Sequence, residues 1–365
     1  MSPNKPFHAL IAVLLLGAVL LGACAGGDGA SADQTITLTD GLDRTVTFEQ
    51  VPQRVVIAGR ATVMVQDTVY LFPETSQRLV ALENRKQSAC DFLPVIDPLF
   101  EQKTILEMNA GPEQITPTQP DVVILKSFMA ESLGNPLEEL GIPVVYLDLE
   151  SPERYYQDIT ALGQLFNAPD RAEELLAFYQ DRVKLVEQTM APLTDAEKPT
   201  VLLLQHSDSG DEVAFEVPPA TWLQTYMVET AGGVPVWLEA SEQGGWTVVS
   251  FEQIAAWNPD QIYIVSYDAD SAAIVDDLKS NPLWAELDAV KSDQIYGFAA
   301  DFYSWDQPDT RWILGMLWLA TKVHPELTAD IDIMAEIEAF YTQLYSLDQA
   351  TIEEQVLPIL KGDLP

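Results

Sequence analysis

Four basic residues stand directly after apolar runs, the position from which side chains of an open parallel sheet reach a ligand crevice. They are Arg60 after Gly59, Arg85 and Lys86 after Asn84, and Lys126 before Ser127. Such groups hold oxygen-rich anions by charge-assisted hydrogen bonds, and they gather here in a chain with 19 Lys and Arg against 56 Asp and Glu. The corresponding positions of the second half are Gln205-His206-Ser207, Ser266-Tyr267-Asp268 and the stretch Asp301-Phe302-Tyr303-Ser304-Trp305-Asp306, with Trp246 on the Gly244-Gly245 loop. Aromatic faces of this kind cover the apolar parts of a ligand. The pattern predicts a negatively charged small molecule held by Arg60 and Lys126 on one side and by Trp246, Tyr267, Tyr303 and Trp305 on the other. All eight tryptophans lie after residue 220; Trp312 and Trp318 fall at helical spacing and are expected in the core.

Other chemistries lack their residues. Of three histidines, His8 lies at the extreme N-terminus, which leaves His206 and His324, too few for direct capture of zinc or manganese. No metal site and no cofactor is therefore expected, any metal arriving inside the ligand. His324 precedes Pro325 at a helix end and is expected to cap carbonyls there. The adjacent His206-Ser207-Asp208 cannot arrange nucleophile, base and orienting group, and no G-x-S-x-G elbow exists, so the chain reads as no enzyme. A net charge of −37 excludes nucleic acid as a partner. The acidity itself reads as a solvated surface.

The N-terminus has Lys5 and His8 before an apolar run from Ala9 to Ala25, shorter than the ~20 residues that span a bilayer, as in a signal segment. Its ending Leu21-Gly22-Ala23-Cys24 resembles the bacterial lipobox, which implies a signal peptide over 1–23, lipidation of Cys24 and an extracytoplasmic protein anchored to the cell membrane. The small, polar residues of 24–35 form a flexible tether. Cys90 is the other of two cysteines, so no internal disulfide can form once Cys24 is lipidated, and Cys90 reads as an apolar filler.

The elements that must position these residues follow an α/β rhythm. Ile36/Leu38 and Val46/Phe48 alternate around Asp40-Gly41 as an edge hairpin, and strands follow at Val55–Ile57, Leu79–Leu82, Val122–Leu125 and Val144–Leu147, with helices from about Ala61 to Phe72 and near Leu133 to Leu140. From Ser151, an N-cap before Pro152, the chain turns helical. Pro169 opens a second helix to about Met190, roughly 33 Å long and able to join two lobes stiffly. The rhythm restarts with Val201–Leu204, a helix around Thr221 to Thr230 closed by Gly232-Gly233, then Ile262–Val265 and Gln294–Phe298. The organisation read from this is an N-terminal lobe at 36–150, linker helices at 151–195, a C-terminal lobe at 196–327 and a helical segment at 328–365. Each lobe is a Rossmann-like parallel sheet with the ligand cleft between them.

One motif recurs across the linker. Glu113-Gln114-Ile115 is followed after four residues by Pro120-Asp121 and an apolar strand, and Glu252-Gln253-Ile254 after the same interval by Pro259-Asp260 and another. Each copy reads as a short helix with an inward Ile, a proline that stops it, and a strand into the core.

With these copies, Asp40-Gly41-Leu42-Asp43-Arg44, Pro52-Gln53-Arg54-Val55-Val56, Ala231-Gly232-Gly233 and the closing run Leu314–Ala320 before His324-Pro325-Glu326, the chain resembles the substrate-binding proteins of iron-siderophore and cobalamin importers, from Ile36 to Glu326. The resemblance implies two lobes joined by one rigid helix, and a monomer that delivers its ligand to an ABC permease and its ATPase. Glu113 and Glu252 would then dock onto the permease. It implies a ferric siderophore first, with molybdate or tungstate, cobalamin or haem as alternatives. A sensory or surface-interaction lipoprotein is the alternative class.

Overall fold

The computed structural model describes Met1 and residues 35–83, 91–208, 213–242 and 244–365. The leader, Cys24, the tether up to Gln34 and the segment carrying Asn84, Arg85, Lys86 and Cys90 lie outside the described residues. Thr35–Pro365 makes one compact unit. No helix among the described residues is long and apolar enough to cross a membrane.

Strands β1 (Ile36–Thr39) and β2 (Thr45–Phe48) pair antiparallel. The buried Asp40 shapes their turn, accepting from the N–H groups of Leu42 and Arg44 at 3.0 Å each. This hairpin is a separate two-stranded sheet and not an added edge. It is tied to the first lobe through Gly41 N–H, which donates to the Tyr146 carbonyl at 2.7 Å.

The first lobe is a five-stranded sheet of β3 (Val55–Ile57), β4 (Leu79–Glu83), β5 (Thr104–Leu106), β6 (Val122–Lys126) and β7 (Val144–Leu147), parallel throughout, in the order β5-β4-β3-β6-β7. Val55, Val56, Ile57 and Val122 to Leu125 are fully buried. Burial on both faces is why these strands read as unbroken apolar runs.

The second lobe comprises β8 (Thr200–Asp208), β9 (Val213–Val217), β10 (Val234–Pro235), β11 (Thr247–Val249), β12 (Gln261–Val265) and β13 (Ile295–Gly297), in the order β11-β9-β8-β12-β13, with β10 beside the start of β8. The centre is parallel, but β8 with β9 and β9 with β11 pair antiparallel. An antiparallel edge thus flanks a parallel centre like that of the first lobe. Val213–Val217 and Thr247–Val249 expose part of their length and mix polar with apolar residues, so they lack the buried-strand signature.

A pair of helices joins the lobes. Ser151 caps Pro152–Leu165, its side chain accepting from Arg154 N–H at 3.3 Å, and Pro169 opens the 22-residue helix to Met190. Tyr179 of that helix stacks on Trp312 at 5.5 Å and 15°, which joins it to the buried helix Trp312–Val323. Trp312 and Trp318 are fully buried, as expected. The ring of His324 caps an end other than its own helix's, reaching the Gly232 carbonyl at 3.2 Å.

The repeated motif folds alike in both lobes. Ile115 and Ile254 are fully buried, Gln119 and Asn258 take left-handed backbone angles just before the prolines, and each following aspartate clamps the start of a central strand. Asp121 accepts from the N–H groups of Gln53 and Arg54 at 2.8 and 2.9 Å, and Asp260 from Thr200 N–H and hydroxyl at 2.8 and 2.6 Å. The motif thus sets the position of β3 and β8.

Candidate functional site

Beyond β3 the chain turns through Gly59 at φ 90° and Ala61 at φ 56°, with Arg60 exposed between them. Gly59 suits the left-handed angle that a side chain disfavours. The turn is held by Glu83, fully buried at the end of β4, whose carboxylate accepts from Gly59 N–H at 2.7 Å, Asn109 N–H at 3.0 Å and Ala110 N–H at 3.1 Å. One acid therefore gathers two loops around a hollow of about 360 Å³. Met129 and Leu133 give this hollow an apolar lining, Phe128 stands 53 % exposed at it, and Arg60 supplies its charge. Arg60 has no hydrogen bond or ion pair among the described residues. Glu83 escaped the sequence reading; its signal was an acid closing the apolar run Leu79–Leu82.

Lys126 is placed differently. It is buried, its ammonium bonded to the Asp148 carbonyl and paired with Glu150 at 2.6 Å. Its charge is already matched within the lobe. Of Arg60 and Lys126, Arg60 alone presents an open cation among the described residues.

In the second lobe, Trp246 and Tyr267 come together, edge to face at 6.4 Å, and Trp246 also meets Trp222 at 6.0 Å. Both predicted residues are half-buried. The Tyr267 hydroxyl donates to Asp306 Oδ2 at 2.9 Å, and the Gln224 amide donates to the same oxygen at 3.2 Å. Tyr303 and Trp305 lie deeper. Trp305 is fully buried with its indole N–H donated to Asp301 at 3.0 Å, and Tyr303 has the Arg311 guanidinium 5.0 Å from its ring centre. Their loop is drawn inward because Gly315 lets the closing helix approach the Trp305 carbonyl, where a Cβ would collide.

Arg311 marks the seam between the lobes. Fully buried, it pairs with Asp67 of the first-lobe helix Thr62–Val69, with Asp301 at 2.6 Å and with Asp309 at 3.3 Å. The C-terminal helix Ile333–Tyr345 closes over this cluster: Tyr341 donates to Asp301 at 2.5 Å and Tyr345 to the Asp67 carbonyl at 3.0 Å. Phe92 packs on Phe302 at 4.8 Å and on Tyr345 at 4.9 Å beside it. Sequence reasoning missed Asp67, Asp309 and Arg311, since nothing local announces a pairing between residues 67 and 311.

Burial outweighs the attraction of Arg311 and lifts Asp67 to about 6 and Asp309 to about 8, and burial lifts Asp158 to about 7. A carboxylate whose folded pKa is raised contributes stability that is full below its unfolded value and lost as pH rises through the folded one. The midpoint of urea denaturation should therefore climb as pH falls from 8.5 to 5.5. Asp309→Asn should flatten the upper part of that profile. A midpoint that drops steadily over the same range would contradict the buried, part-protonated cluster.

Glu113 and Glu252 are both exposed in the first turn of a short helix, Pro112–Ile115 and Phe251–Trp257. Hydrogen bonds from its own N–H and from the Ser250 hydroxyl hold the Glu252 carboxyl below the usual range. Among the described residues no group of three or more His, Cys, Asp or Glu could hold a metal ion.

Residues 93–301 match the family described as periplasmic binding protein. The chain is 23 % identical over 339 residues to the molybdate-binding protein MolA of Haemophilus influenzae, covering 87 % of this chain and 92 % of that protein. It is also 23 % identical to the Fe(3+)-citrate-binding protein YfmC of Bacillus subtilis, covering 81 % of this chain and 90 % of that one. The solved structure of a periplasmic solute binding protein from Veillonella parvula superposes with a TM-score of 0.70 at 23 % identity, over 89 % of this chain and 98 % of its own, which shows a shared fold.

Proposed function

The chain belongs to the periplasmic binding protein family, and from that premise we propose that it is the extracytoplasmic binding component of an ATP-driven importer whose cargo is an anionic metal chelate, a ferric siderophore before others. It is a binding protein and not an enzyme. The observation that carries the cargo is Arg60, an open guanidinium at a hollow of about 360 Å³ lined by Met129 and Leu133. A bare oxyanion needs a small enclosure of polar donors, whereas a chelate offers oxygens to a cation and hydrocarbon to an apolar lining. Trp246 and Tyr267 supply the aromatic cover. Tyr303, Trp305 and Lys126 support the site from within, Lys126 by fixing Glu150. The similarity to YfmC, named for ferric citrate, agrees with this reading.

Molybdate is the second reading, favoured by the similarity to MolA over 87 % of the chain. In either case the protein works as a monomer held to the membrane through a lipid on Cys24, and docks on its permease through Glu113 and Glu252.

The test is a titration of tryptophan fluorescence in the full chain with ferric hydroxamates, ferric citrate, cobalamin, haem, molybdate and tungstate. Arg60→Ala should weaken chelate binding by about ten- to a hundredfold, the worth of a hydrogen bond to a charged group. Trp246→Ala should also weaken it. Under the molybdate reading only Arg60→Ala matters, and tight binding that survives both substitutions sinks the site assignment.

A further inference from the structure

The C-terminal segment brings an open cation to the end of the second-lobe sheet. Lys361 pairs with Ala300 through both backbone groups, its N–H donating to the Ala300 carbonyl at 2.9 Å and its carbonyl accepting from Ala300 N–H at 3.2 Å. Asp363 clamps strand β13, its carboxylate accepting from Gly297 N–H at 2.5 Å and its own N–H donating to the Gly297 carbonyl at 2.9 Å. Between them Gly362 has φ 78° and lies so close to the Phe298 carbonyl that a Cβ would strike it. The backbone of Lys361 is thus fixed from both sides, although it lies beyond residues 93–301, which match the family.

Lys361 lines a notch of about 20 Å³ together with Ser266, Tyr267, Asp268 and Tyr303, just past the carboxyl ends of β12 and β13. That end of a parallel sheet is where ligands bind. The volume holds about one water-sized group, too little for a chelate and enough for one carboxylate oxygen. Lys361 is part-exposed, and its ammonium has no hydrogen bond or ion pair among the described residues. Ser266, 8 % exposed, accepts at its Oγ from Ala269 N–H at 3.2 Å, which leaves its O–H to donate. Of the acids at the notch, Asp301 is spent on Arg311, Trp305 and Tyr341, and Asp268 stands exposed, where solvent screens it. The notch therefore offers one charged and one neutral donor.

We propose that Lys361 is a ligand-binding residue of the second lobe, and that with Ser266 it takes a carboxylate oxygen standing outside the metal-binding core of the chelate. This inference rests on the proposed function, and it adds to Arg60 of the first lobe a second cation supplied by the C-terminal tail. Chelates would then be sorted by whether they carry such a pendant carboxylate. One that does gains a charge-assisted hydrogen bond, and one that does not gains nothing from Lys361. Tyr267 lines the same notch and meets Trp246, which places Lys361 beside the aromatic cover.

The experiment uses the full chain and two ferric trihydroxamates alike except for one pendant group, a free carboxylate or its methyl ester, titrated by tryptophan fluorescence. The carboxylate form should bind about ten- to a hundredfold more tightly than the ester, the worth of a hydrogen bond to a charged group. Lys361→Gln should cut that ratio to about threefold or less, Lys361→Arg should keep most of it, and Ser266→Ala should lower it about threefold. In the unaltered protein the bound carboxylate chelate should also slow acetylation of Lys361 by acetic anhydride, with the half-exposed Lys291 as control, which decides the matter should a variant fail to fold. Equal affinity for carboxylate and ester, a ratio unchanged in Lys361→Gln, or a Lys361 acetylation rate that the chelate leaves unaltered overturns the inference while the binding function stands. An equal loss of both chelates in Lys361→Gln does the same, since it would make the tail a structural support alone. If neither chelate binds the unaltered protein, the proposed function falls and the inference with it.

Discussion

Arg311→Ala should cost the protein about 3–5 kcal/mol, because removing one partner of a buried ionic cluster leaves the buried carboxyl groups without the cation and hydrogen-bond donor that matched them. Asp67, Asp301 and Asp309 would all remain in a dry seam with no cation among the described residues that contact them. Arg311→Lys should recover little, since an ammonium is a point charge and cannot present the guanidinium's separate N–H groups to carboxylates on several sides. The measurement is urea denaturation followed by tryptophan fluorescence, with Asp67→Asn and the double variant closing a cycle. A coupling of about 1–3 kcal/mol between positions 67 and 311 is expected for residues in direct contact. An Arg311→Ala loss under about 1 kcal/mol would mean that the lobes stand apart in solution and the seam is not a stable contact.

Replacing Glu113 and Glu252 together with Gln should reduce uptake in cells to background while leaving chelate affinity within about twofold, as expected of exposed groups whose carboxylates do not touch the ligand. The two acids occupy equivalent places, exposed in the first turn of helices whose aspartates, Asp121 and Asp260, fix β3 and β8. Two like anions on related lobes suit a partner with two-fold symmetry and paired cations. Glu252 also bonds back to Ser250 and its own N–H, so Gln is chosen to keep a hydrogen-bonding group while removing charge. Weakened ligand binding in the double variant would place these residues in the cleft, and normal uptake would remove them from docking.

Much of this molecule is legible along the chain. The runs Val55–Ile57, Val122–Leu125 and Val144–Leu147 became strands within a residue of their expected bounds, and Pro152 and Pro169 open the two linker helices. Both signals are local: a strand covered on both faces must be apolar throughout, and proline is tolerated at a helix start because its missing N–H has no partner there. Thr104–Leu106 and Val213–Val217 were not legible, since short strands with exposed residues carry no such run.

The site divides along the same line. Sequence alone placed Arg60 at a strand end and Trp246 and Tyr267 on loops, because chain order and strand direction suffice to say which end of a parallel sheet a residue occupies. It also supplied the duplicated Glu-Gln-Ile and Pro-Asp motif, which needs only spacing. Only the tertiary structure decided which charges are open. Lys126 is matched by Glu150, Trp305 is drawn under Gly315, and Arg311 joins Asp67 from 244 positions away. Whether a cation is free depends on partners brought within about 4 Å by the fold, and electrostatic interaction follows distance in space, which separation along a chain does not report.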